Sequence, residues 1–239
     1  MSAEMPRYCY LVLLAACGLE SDSKSTSSLP DSVRAVERRM HERYAGVQRI
    51  EYAIVSSKLD DVRSSAKSIA ALDEPDVLPA WQPYLAGVKT AALDLATAGD
   101  VMDAAPLAAE LGRQCARCHQ AIHARITFRE PPRPDRGTRL VDTMAGHQWA
   151  VARMWEGLIA PSDDRWDSGA KVLQRAPLTF VAESGELGIA DDVVLIRLFA
   201  RRATELKDQA DRAELFGRLL GTCVRCHSVI RDQPMETKP

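Results

Sequence analysis

The pentapeptide Cys-x-x-Cys-His occurs twice, as Cys115-Ala116-Arg117-Cys118-His119 and as Cys223-Val224-Arg225-Cys226-His227. The two copies stand 108 residues apart. Other pairs keep nearly the same step: Met40 and Met144, and Ala66-Lys67 and Ala170-Lys171, are each 104 apart. A chain of 239 residues that repeats itself at this period is expected to build one unit twice. The fold must therefore place the same two cysteines and histidine correctly in both units.

Each motif closes a helical pattern. Leu107, Leu111, Cys115, Cys118, Ile122 and Ile126 share a face, and Leu215, Leu219, Cys223, Cys226 and Ile230 do the same. Upstream, Val33, Val36, Met40, Tyr44, Val47 and Ile54 form one stripe. Leu140, Met144, His147, Val151, Met154 and Leu158 form its counterpart, the seam of a packed helix. Short helices are expected over 61–72 and 164–175, and third helices near 80–98 and 191–208. Asp76 and Pro79 mark the start of one third helix, and Asp191 or Asp192 caps the other. Asp103 reads as the N-cap of the fourth helix, with Pro106 in the tolerated first turn. Aromatic residues are only 5% of the chain, which favours helix over strand. The expected fold is all-α: two tandem up-down four-helix bundles, residues 31–130 and 138–233, with a C-terminal tail at 234–239. Residues 131–137, which begin with three prolines in four positions, form a stiff linker between them.

The motif spacing has a chemical consequence. On a helix, cysteines at i and i+3 point the same way, so both thiols can meet the two vinyl groups of one porphyrin. The histidine at i+4 then reaches the iron from the same side. Cys-x-x-Cys-His is the attachment signature of c-type haem. Two covalently bound haems c are expected, on Cys115 and Cys118 and on Cys223 and Cys226, with His119 and His227 as proximal iron ligands. Zinc is the poorer reading, because paired Cys-x-x-Cys sites sit about 15–20 residues apart. A thioredoxin-type motif would need a βαβ setting that the pattern lacks.

A four-helix unit with Cys-x-x-Cys-His on its last helix resembles the class II cytochromes c, of the cytochrome c′ and cytochrome c-556 type. The resemblance covers residues 31–130 and 138–233. In that family the first helix presents a residue to the far face of the haem, so the resemblance implies Met40 and Met144 as distal iron ligands. The alternative for each is a core methionine. His147, three residues after Met144 on the same face, is an alternative distal ligand that would make a bis-histidine haem; its counterpart is Arg43. His41 lies about 100° round the helix from Met40, and His123 reads as a surface or propionate-side residue. Arg117 and Arg225 either neutralise propionates or face water. Trp149, Trp155 and Tyr44 pack at the porphyrin edge or in the core. Family members often dimerise through their first two helices, which implies a homodimer.

Residues 8–16 are an apolar run of signal-peptide length behind Arg7, too short to span a bilayer. Leu14-Ala15-Ala16-Cys17-Gly18 resembles a bacterial lipobox, which implies a signal peptide at 1–16, cleavage before Cys17 and a lipid on its thiol. The alternative is a plain secretory signal cut near Ala16. The serine-rich stretch 17–30 is a flexible tether. Such a chain would sit in the periplasm or at the cell surface, attached to the membrane through its lipid.

The net charge of −2 argues against a nucleic-acid partner, which needs a basic excess. Electron transfer between redox partner proteins is the leading expectation. A haem protein binding nitric oxide or carbon monoxide is the alternative that the cytochrome c′ resemblance brings. A di-haem peroxidase is the third, and the sequence offers no separate acid–base constellation for it.

Overall fold

The computed structural model describes residues 31–72, 74, 77–134, 140–175 and 189–232. Among them are eight α-helices and no strand, so the chain is all-α as expected. The first copy holds α1 (Asp31–Val55), α2 (Leu59–Ala70), α3 (Gln82–Ala96) and α4 (Val101–Ala121), with a 3-10 turn at Pro79–Trp81 leading into α3. The second holds α5 (Leu140–Ile159), α6 (Asp163–Arg175), α7 (Ala190–Ala203) and α8 (Gln209–Asp232). Cys17, Asp76, residues 135–139 and the side chains of Leu140 and Ile230 lie outside the described residues.

Helix ends differ from the expected ones for local reasons. Asp100, not Asp103, caps α4: its Oδ1 accepts the Asp103 N–H at 2.8 Å. Asp103 instead stands in the first turn, where its charge complements the helix dipole. Pro106 consequently lies inside α4 and withholds one N–H from the ladder. Neither Asp191 nor Asp192 is the cap of α7; both lie in its first turn, and Ile189 precedes them without a side-chain cap. That helix stops at Ala203, closed by Arg201 and Arg202 in its last turn. α4 stops at Ala121, so Ile126 leaves the shared face and is 37% exposed. His123 takes φ 51°, and Ala124 N–H bonds back to the His119 carbonyl at 2.9 Å. This left-handed closure turns the chain back across the end of the helix.

Packing follows chain order in both copies. α1 lies on α2, α2 on α3, α3 on α4, and α4 returns to α1; α5 to α8 repeat the circuit. The two sets then join, with α4 running along α8, α5 touching α4 and α1 touching α8. One apolar core passes through both, from Ile50 and Ile54 to Leu219 and Leu220. Small residues permit this. Ala104, Ala105, Ala108, Ala109 and Gly112 are buried on α4. A Cβ on Gly217 of α8 would stand 2.9 Å from the Pro106 Cα, and one on Gly112 would stand 2.7 Å from the Trp155 ring. Trp155 stacks on Phe216 with centroids 5.1 Å apart, and Trp166 meets the same ring at 6.3 Å. Trp155 is thus a core residue of the junction. The segment after α4 is pinned to the second copy: Arg165 Nη2 donates to the Phe128 carbonyl and Trp149 Nε1 to that of Pro131, each at 3.3 Å.

Candidate functional site

Helical spacing brings Cys115, Cys118 and His119 together near the end of α4, and they open on a cavity of about 380 Å³. Ligand and cofactor pockets run to roughly 300–1,000 Å³. α1 contributes Met40, Arg43, Tyr44 and Val47 to the lining, and α3 contributes Leu85 and Val88. The chain that turns at His123 folds over the cavity with Ile126 and Phe128, and Phe128 packs on Tyr44 with centroids 5.1 Å apart. The cysteine motif and the methionine of the first helix therefore line one space. His41 also lines it but is an exposed residue, and His123 is exposed.

Arg43 was visible in the sequence only as the counterpart of His147. It is half-buried, ion-paired to Glu74, and Arg39 approaches the same carboxylate at 3.5 Å. Burial lowers its pKa, opposed by the nearby thiols of Cys115 and Cys118. Its Nε and Nη1 are enclosed without a hydrogen-bond partner, so the cavity wall carries a buried cationic donor. Glu74 and the 125–129 segment had no motif to announce them.

The second motif stands on α8. Met144 packs with Ile189, Val193, Cys226 and Val229. His147 Nε2 is buried without a partner. Burial, with the nearby charges of His227 and Arg197 acting in the same direction, pushes the imidazole down to about 4. Glu51 of α1 reaches this site from the first copy, close enough for its charge to bear on Cys223. Part of the residue touches solvent, but its carboxyl is enclosed, and burial raises it to about 7.

The thiols are also desolvated. Burial pushes Cys115 and Cys223 up to about 12 and Cys226 to about 11. Among the described residues no group of three or more His, Cys, Asp or Glu side chains is placed to hold a metal ion.

Both motif histidines find an acceptor through Nδ1. His119 Nδ1 lies 2.9 Å from the Ile159 carbonyl, and His227 Nδ1 lies 3.4 Å from that of Val55. Burial lowers the His119 pKa, and the bond to Ile159 opposes the fall. Arg117 is exposed and donates to Gln114; Arg225 is exposed and pairs with Asp192 at 2.9 Å. Beside the first cavity, Tyr44 donates to Glu156 at 3.1 Å and Arg165 pairs with the same carboxylate at 2.6 Å; Arg153 is also ion-paired to it. No helix among the described residues is long and apolar enough to cross a membrane. Comparison with protein-family models, curated proteins and solved structures found no match for the chain.

Proposed function

We propose that the chain carries two covalently attached haems c and passes electrons between partner proteins in a bacterial cell envelope. Each copy would then act as a haem-binding four-helix bundle. The observation that carries this reading is the first cavity, where Cys115, Cys118, His119 and Met40 line one space of cofactor size. The residues fit the group. Cys115 and Cys118 stand one turn apart for two thioether bonds, and His119 offers Nε2 because its Nδ1 is engaged by a carbonyl. Val47, Leu85, Val88, Ile126, Phe128 and Ile159 give the cavity a largely apolar wall, and the unpartnered donors of Arg43 place positive charge beside it.

The haem iron, when bound, supplies a one-electron couple. The chain's part is to hold the ligands and shield the site. Met40 would take the distal position in the first copy and Met144 in the second. In the second copy a further donor, the unpartnered His147 Nε2, stands ready beside Met144, which favours a bis-histidine haem as the alternative there. A lipid on Cys17 and the tether over residues 17–30 would hold the protein at a membrane surface.

The oxidised protein is expected to give a six-coordinate, low-spin spectrum, and the reduced protein to bind carbon monoxide slowly. Rapid carbon monoxide binding at both haems would contradict electron transfer and point to a gas-binding protein of cytochrome c′ type.

A further inference from the structure

The acceptors of the two motif histidines lie in the wrong copies. His119 is in the first copy and Ile159 in the second; His227 is in the second and Val55 in the first. Ile159 and Val55 are themselves equivalent: they are the last residues of α5 and α1, separated by the repeat step. Carbonyls in a last helical turn have no intrahelical donor and carry the negative end of the helix dipole. The geometry is thus a reciprocal exchange, and the junction of α4 with α8, α1 with α8 and α4 with α5 holds it in place.

We infer that each copy positions the iron-binding histidine of the other, so that the haem of one copy is tuned by a helix end belonging to its neighbour. The inference rests on the haem reading above. The Nδ1–H bond fixes the tautomer, leaves Nε2 for iron, and orients the ring. An acceptor on that N–H raises ligand basicity, which stabilises oxidised iron and lowers the potential. Weakening one strap should therefore raise the potential of the opposite copy's haem and not that of its own.

Gly157 offers the means. It precedes Ile159 by two residues, and a Cβ there would stand 2.5 Å from the Trp166 backbone nitrogen, so Gly157→Ala must move the end of α5 away from α6. The full-length holoprotein is titrated, with the two haems told apart by haem-methyl NMR resonances. The expected result is an upward shift at the haem on Cys115 and Cys118, with the haem on Cys223 and Cys226 unchanged. A shift confined to the latter, or none in a folded variant with two haems, overturns the inference.

Imidazole N–H exchange in the wild-type protein gives a second reading that needs no variant. Slow exchange at Nδ1 of both His119 and His227, with cross-peaks to Ile159 and Val55, supports the straps. Exchange at the rate of a free imidazole overturns them. A chain without covalent haem would instead fail the earlier reading, and the same exchange measurement on that chain would still decide the straps.

Discussion

Residue identity carries most of the chemistry. The clustering of Cys115, Cys118 and His119 on one cavity was readable because residues at i, i+3 and i+4 share a helix face, and Met40 because the repeat step pairs it with Met144 on the inward stripe of the first helix. Arg43 was not, since an arginine on a helix face is ordinarily solvated and only Glu74, distant in sequence, keeps it inward. If Met40 is the distal ligand, Met40→Ala should open the first haem to carbon monoxide and leave the second unchanged, read by the stoichiometry of carbon monoxide bound. Glu51 gives a pH dependence. Its carboxyl is raised from an ordinary 4.5 to about 7, so the folded protein holds that proton more tightly than the unfolded chain. The stability gained is full below about pH 4.5 and lost as pH rises through about 7. Glu51→Gln should match wild type near pH 4 and exceed it near pH 8 by up to about 3 kcal/mol. Urea unfolding of the holoprotein at both values measures this, and equal stability near pH 8 would show the carboxyl to be solvated.

At the scale of elements, periodicity found every α-helix among the described residues but not every end. Asp100 and Asp103 are both good caps by type. Only the extended backbone at Asp100, with φ −146° and ψ −177°, decides between them. The same decision moved Pro106 into the helix, where it meets Gly217 across the α4–α8 seam. Because the neighbour of a Gly217 side chain is backbone, it cannot yield. Gly217→Leu should cost about 1–3 kcal/mol by overpacking, visible as a lower urea midpoint. A variant of wild-type stability would mean that the two helices part easily.

For the whole molecule, the repeat announced two units and was silent on how they meet. The signal was present in Ala104, Ala105, Ala108, Ala109 and Gly112, but alanine on a helix reads as propensity rather than as a seam. Pairing of α4 with α8 joins residues more than a hundred apart, which no local pattern encodes. With one core through both copies, α2 and α6 amides should lose hydrogen-exchange protection together as urea rises. Separate transitions would show two independent units.

The central claim is covalent haem in two copies, and intact mass after acid–acetone extraction tests it most directly. Apart from the mass of a lipid on Cys17, the mature protein should exceed its polypeptide mass by two haems and retain its Soret band, and replacing Cys115 and Cys118 should remove one haem. A mass equal to the polypeptide alone, with no Soret absorption and zinc in the preparation, would contradict it.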